Sequence, residues 1–208
     1  MRPIIPLFTL LTLIALGCNT QPGTSHETAK PPCCRTAPPK TPLPDRSIYQ
    51  LESEWTSDMG KQIRLGQLQG HPLVVGLFFS HCEYACPILV NDMKRIEAAL
   101  PAGAGDEVEF LLVSIDPDRD TPERLQKYRA EKSLSPRRWT LLTGTEDDVR
   151  ELAAILGVNY QRDSRGQYTH SNLITLLSPK GEILTQSQGL NQPIDALIRR
   201  AITTKKSE

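Results

Sequence analysis

The sequence predicts an α/β domain in which a central mixed sheet is flanked by helices. Two short and nearly continuous apolar runs, 73–79 and 108–115, are typical of strands covered on both faces. Apolar residues at helical spacing lie between them, which indicates a β-α-β unit with parallel strands. A later pair of apolar runs, 173–177 and 182–184, is joined by a turn containing Pro and Gly, and it predicts an antiparallel hairpin.

The first two helices are predicted from the residues at their starts. Pro87 has no N–H to leave unsatisfied, so it suits a first helical position, and this makes Cys86 the predicted N-cap of a helix that runs to about Leu100. Thr121 followed by Pro122 indicates the start of a second helix in the same way.

The remaining elements complete a thioredoxin-like order. A third strand is predicted at 139–142. Thr145, followed by acidic residues, caps a third helix that Gly157 ends, and a last helix is expected over 193–202. The order β-α-β-α-β-α-β-β-α is that of a three-layer, thioredoxin-like domain, and its chemistry is expected at the carboxyl end of a parallel strand.

Two cysteines lie at such a strand end. Cys82 and Cys86 follow the first apolar run directly, beside the positive end of the first helix, which favours thiolate. Thiolates are required both for binding soft metals and for disulfide exchange, and a structural disulfide is a further alternative in an exported protein. The neighbouring His81 is predicted to point to the opposite face of the strand. Met93 falls on the apolar stripe of the helix and is predicted to be a core residue.

The N-terminal part of the chain predicts export. Residues 1–17 have a positive start and a short apolar stretch, typical of a signal peptide, and the run ending in Cys18 resembles a bacterial lipobox. We therefore expect cleavage before Cys18 and lipidation of its sulfur, on the extracytoplasmic face of a bacterial cell envelope; ordinary cleavage or an uncleaved anchor are the alternatives. Residues 18–46 are Pro-rich and predict an extended tether, in which Cys33 and Cys34 have no assigned role.

Residues 47–208 have the length and composition of one globular domain. The formal net charge of the chain is +0, and it has no basic block, so the sequence gives no support for binding nucleic acid.

Three segments together resemble the SCO/SenC family of thioredoxin-fold, copper-handling proteins. They are the C-x-x-x-C-P motif at 82–87, the strand and loop at 113–122, and the pair His170–Ser171. The segments agree with the family in order and spacing across roughly residues 48–203. One feature departs from the family pattern, because Thr169 stands where many members have an acidic residue before the histidine.

The resemblance implies that Cys82, Cys86 and His170 bind copper. It also implies that the chain is a metallochaperone or a reductant. Its partner would be the copper-bearing subunit of cytochrome c oxidase or another cuproprotein, to which it delivers copper or whose copper site it reduces. Two thiolates suit Cu(I) and an imidazole suits Cu(II), so the three residues are compatible with either state. Alternatively, the chain is a thiol-disulfide oxidoreductase or redox sensor that uses Cys82 and Cys86 as its redox pair. Taken on its own, without the resemblance, His170 is more often interpreted as a hydrogen-bonded surface histidine.

Overall fold

The computed structural model describes residues 43–103, 105–164 and 166–205. Nine strands are present in this part of the chain: β1 (Glu54–Ser57), β2 (Gln62–Arg64), β3 (Leu73–Phe78), β4 (Glu109–Ser114), β5 (Trp139–Thr143), β6 (Tyr160–Arg162), β7 (Tyr168–His170), β8 (Leu173–Leu177) and β9 (Ile183–Gln188). The α-helices are α1 (Ala85–Ala99), α2 (Pro122–Lys132), α3 (Glu146–Leu156) and α4 (Asp195–Lys205). Cys18, Cys33 and Cys34, together with the predicted signal peptide, lie outside the described residues.

Seven strands form the central sheet, in the order β2-β1-β5-β4-β3-β8-β9. The middle strands β3, β4 and β5 are parallel, whereas β8 and β9 add to one side and β1 and β2 to the other as antiparallel strands. The strands β3 and β4 are buried almost throughout, as their continuous apolar composition predicts. The predicted α/β class with a mixed sheet flanked by helices is confirmed.

Helix α1 packs on the centre of the sheet. It contacts β3, β8 and α4, and Met93 is fully buried in its contact face, as predicted. The sheet makes room for this side chain at Gly76 of β3, where an added Cβ would lie 2.9 Å from the Met93 sulfur. The helix that carries the cysteine motif is therefore fixed closely against the strand that precedes it.

The predicted caps of α2 and α3 are confirmed. Thr121 and Thr145 each accept a backbone N–H of the first turn, and Gly157 ends α3 in the left-handed conformation with φ of 73°. The predicted N-cap of α1 is wrong: the helix begins at Ala85, so Cys86 is its second residue and Pro87 its third. Proline fits there because the third N–H of a helix has no partner within the helix.

A buried ion pair connects α2 to the turn of the β1–β2 hairpin. The Arg129 guanidinium binds the Asp58 carboxylate through two bonds, Nε to Oδ2 at 2.5 Å and Nη2 to Oδ1 at 2.8 Å. Both residues are buried. A bidentate arrangement of this kind fixes the orientation of both side chains, and so it holds α2 against the edge of the sheet.

No helix in the described residues is both long enough and apolar enough to cross a bilayer.

Candidate functional site

The cysteine motif lies just beyond the carboxyl end of β3. The chain turns after Phe79, where the Cys82 N–H donates to the Phe79 carbonyl, and it enters α1 at Ala85. The Cys82 sulfur lies 3.2 Å from the backbone nitrogen of Cys86 and accepts its N–H. This bond satisfies one of the unpaired N–H groups of the first helical turn, so Cys82 contributes the capping that the sequence assigned to Cys86.

The two cysteines differ strongly in their surroundings, although both are free thiols. Cys82 is partly exposed, whereas Cys86 is fully buried in the core. Burial raises the pKa of the Cys86 thiol well above its usual value, because a thiolate there would lose its hydration. Burial therefore opposes the thiolate form at Cys86, which the helix end is predicted from the sequence to favour.

His170 reaches the same point from strand β7. Its Nε2 lies 3.3 Å from the Cys86 sulfur, although the two residues are 84 positions apart in the sequence. Its Nδ1 lies 3.1 Å from the Ser171 carbonyl oxygen, which can only accept, so Nδ1 carries the proton. Nε2 is then the unprotonated nitrogen and presents its lone pair to the sulfur. Burial lowers the pKa of His170, partly opposed by the Ser171 carbonyl, which favours this neutral form.

The side chains of Cys82, Cys86 and His170 lie close together but do not form a preformed metal-binding site. In the described part of the chain, no three His, Cys, Asp or Glu side chains are already arranged to hold a metal ion. Cys86 and His170 face each other directly, while the Cys82 sulfur is turned to the backbone of Cys86. The donor types fit copper, since soft sulfur suits Cu(I) and imidazole nitrogen suits Cu(II). Cys82, Cys86 and His170 are the residues that would hold a copper ion here.

An open cavity of about 540 Å³ gives access to the site. Aromatic side chains line one side: Phe79 packs 5.6 Å from Tyr168 and 6.0 Å from the His170 ring, measured between ring centroids. Tyr84, between the two cysteines, is 77% exposed at the rim. His81 is also among the residues that line this cavity, and its Nδ1 lies 3.2 Å from the Ser80 hydroxyl and 3.7 Å from the Asp120 carboxylate. Strand β3 ends before it, so strand alternation does not decide its direction.

The segment before Cys82 is fixed by a buried carboxylate. Asp120, fully buried, accepts the Ser80 N–H at 3.0 Å, the Ser80 hydroxyl at 2.5 Å and the Ser114 hydroxyl at 2.5 Å. Arg124 of α2 donates to the Ser80 hydroxyl from its other side, at 2.9 Å. The ends of β3 and β4 are therefore joined by hydrogen bonds at the site.

The family resemblance included the loop after β4, but sequence reasoning missed the contacts that the side chains of this loop make. The run 113–122 contains Asp120 and Arg119, so the resemblance marked the right segment without giving the contacts. Nothing in the sequence marked Tyr168 as a residue of the site, because a single tyrosine in a polar stretch is common on protein surfaces. Thr169 is exposed and its hydroxyl lies 3.5 Å from the Gln161 carbonyl, so this position supplies no carboxylate near His170.

Fold and site together define a class of protein: a thioredoxin-like domain with a free dithiol at the end of a parallel strand and a distant histidine against the second sulfur. The family model described as SCO1/SenC matches residues 44–203. The chain belongs to the SCO1/SenC family.

Named relatives agree with this assignment. The SCO1 protein homologue of Bacillus subtilis is 29% identical over 161 residues, which cover 75% of this chain and 83% of that protein. A Stutzerimonas stutzeri protein, named as a candidate copper-binding protein, is 29% identical over 143 residues, which cover 67% of this chain and 68% of that protein.

Solved structures share the fold. The crystal structure of a SCO1/SenC family lipoprotein from Bacillus anthracis has a TM-score of 0.66 and 25% identity, covering 75% of this chain and 93% of that one. The structure of BsSco, described as a Sco-family cytochrome c oxidase assembly protein with a disulfide switch, has a TM-score of 0.65 and 26% identity, covering 74% of this chain and 92% of that one.

Proposed function

We propose that this chain is an extracytoplasmic copper-binding protein that serves the assembly of a copper site in a respiratory cytochrome c oxidase. The observation that carries the proposal is the approach of His170 Nε2 to the Cys86 sulfur at 3.3 Å, beside the Cys82 sulfur. Cys82, Cys86 and His170 are the proposed ligands. Relatives named for copper binding and for oxidase assembly support the metal and the acceptor.

The geometry favours a carrier of metal over a permanent metal centre. Cys82 and His170 line the cavity, and the exposed Tyr84 lies at its rim, so a partner can approach these two ligands without a change in the sheet. Neutral His170 has its lone pair available, whereas the buried Cys86 thiol must lose a proton for the metal to bind. A carrier of copper to the copper-bearing subunit of the oxidase or another cuproprotein, or a reductant of that site, fits these features.

The proposal is tested by copper titration of the reduced full chain. Cys18, Cys33 and Cys34 are replaced by Ser in every sample, so that only the folded site contributes thiols. We expect one tightly bound Cu(I) per chain, which is lost in Cys82→Ser/Cys86→Ser. His170→Ala is expected to keep Cu(I) binding and to change the Cu(II) spectrum, since thiolates alone suit Cu(I). Copper binding that is unchanged by the cysteine substitutions would contradict the proposal.

A thiol-disulfide oxidoreductase or redox sensor is the second candidate. It is favoured by the pairing of one accessible and one buried thiol, since Cys82 can attack a partner disulfide while Cys86 resolves the mixed disulfide. Absence of tight copper binding, together with rapid exchange with a disulfide substrate, would favour it over the carrier. The two roles are compatible, because a Cys82–Cys86 disulfide removes both thiolate ligands and releases the metal.

We also propose that the mature chain begins at a lipidated Cys18 and is held to the outer face of the cytoplasmic membrane by that lipid. The resemblance of residues 15–18 to a lipobox supports this, as does the lipoprotein from Bacillus anthracis with the same fold.

A further inference from the structure

The third proposed ligand lies on an element that is separate from the central sheet. Strands β6 and β7 form a two-stranded sheet of their own, in which Tyr160 pairs with His170 and Arg162 with Tyr168. The base of this hairpin is joined by the Ser171 N–H, which donates to the Asn159 carbonyl at 2.8 Å. The position of His170 relative to the cysteines therefore depends on the contacts that fix the β6–β7 hairpin against the rest of the domain.

Arg119 links the turn of this hairpin to the core. Its Nε donates to the Asp116 carboxylate, which is fully buried just beyond the end of β4, and its Nη2 donates to the Gly166 carbonyl at 2.8 Å. A guanidinium presents its N–H donors in a rigid planar fork, so it can hold both acceptors at once. The buried carboxylate fixes one arm of the fork, and the other arm then fixes the hairpin turn.

A second contact between the same loop and hairpin is more exposed. Arg162 pairs with Asp118 at 3.1 Å, with side-chain exposures of 40% and 60%, and it lies over the Tyr168 ring. Exposed ion pairs of this kind contribute little to stability because solvent screens them. Arg162 is thus a natural control for Arg119, since both arginines join the hairpin to the loop after β4.

We propose that Arg119 is a positioning residue for His170: by tying the Gly166 turn to buried Asp116, it holds the β6–β7 hairpin where the imidazole can complete the metal site. The inference rests on the proposed copper function. The two sulfurs are supplied by the β3–α1 corner and do not depend on the hairpin. Loss of this tie therefore weakens the binding of the ion that needs imidazole, Cu(II), much more than that of Cu(I).

The test compares Arg119→Gln, Arg119→Lys and Arg162→Gln in the full chain with Cys18, Cys33 and Cys34 replaced by Ser. Removing a residue that orients a metal ligand typically weakens metal binding about 10-fold or more, so we expect that loss for Cu(II) in Arg119→Gln and at most a ~3-fold change for Cu(I). Arg119→Lys keeps the charge beside Asp116 but lacks the fork, and it is expected to behave like Arg119→Gln. Arg162→Gln is expected to resemble the parent for both ions.

A second readout needs no metal. In metal-free Arg119→Gln, amide hydrogen exchange in the hairpin, at Asp163 and Ser171, is expected to be about 10-fold faster than in the parent, a larger increase than at the amides of β4. Equal losses for Cu(I) and Cu(II), parent-like behaviour of Arg119→Lys, or unchanged hairpin exchange would each overturn the proposal. If the parent binds no copper, the proposed function fails, and the exchange experiment alone decides whether Arg119 holds the hairpin.

Discussion

Replacing Arg129 by Ala should destabilise the domain strongly. The substitution removes both bonds to the Asp58 carboxylate, at 2.5 and 2.8 Å, and leaves a side chain that is 1% exposed without its counter-ion. Breaking a buried ion pair from one side typically costs about 3–5 kcal/mol, because the remaining charge has lost its hydration and its partner. We expect a loss of that size in the free energy of unfolding, measured by urea denaturation of the full chain.

The control for this prediction is Arg150→Ala. Arg150 and Asp147 form an ion pair on α3 at 2.6 Å, but their side chains are 64% and 90% exposed, so the expected loss is at most about 1 kcal/mol. The double variant Asp58→Asn/Arg129→Met should recover part of the stability, since it removes the stranded charge. An Arg129→Ala loss no larger than that of Arg150→Ala would refute the argument from burial.

Two further predictions concern the cysteines. At neutral pH, iodoacetamide should modify Cys82 at least ~10-fold faster than Cys86, since Cys86 is buried and the pKa of its thiol is raised. Mass spectrometry of the Cys82→Ser and Cys86→Ser variants measures the two modification rates. Equal rates would contradict the prediction. In a bacterial host, Cys18→Ser should move the chain out of the membrane fraction and abolish its lipid mass shift; a variant that stays in the membrane would instead indicate an uncleaved anchor.

The central part of the fold could be predicted because its signals are local and strong. The buried strands β3, β4 and β5 appear as continuous apolar runs, and the starts of α2 and α3 carry Thr caps. The hairpins β1–β2 and β6–β7 could not be predicted in this way, because their strands have only three or four residues and are largely polar. What stabilises them is contact with distant parts of the chain.

The candidate site likewise has a part that could be predicted from local sequence and a part that depends on contacts between distant residues. The placement of Cys82 and Cys86 at a strand-to-helix corner followed from sequence, but the burial of Cys86, and with it the raised pKa, depends on packing around the helix start. His170 could be named only through the family resemblance, since nothing in its neighbourhood distinguishes it from a surface histidine. The contacts of Asp120 with Ser80 and of Arg119 with Gly166 span 40 and 47 positions and required the fold.

The separation of 84 positions between Cys86 and His170 also has a consequence for the order in which the chain matures. Cys82 and Cys86 need only the β3–α1 corner to be neighbours, whereas the imidazole needs the β6–β7 hairpin, which comes much later in the sequence, to be in place. On the proposed copper function, a chain folded only as far as α1 offers two sulfurs and no imidazole nitrogen. On that proposal, completion of folding is the event that adds the ligand suited to Cu(II).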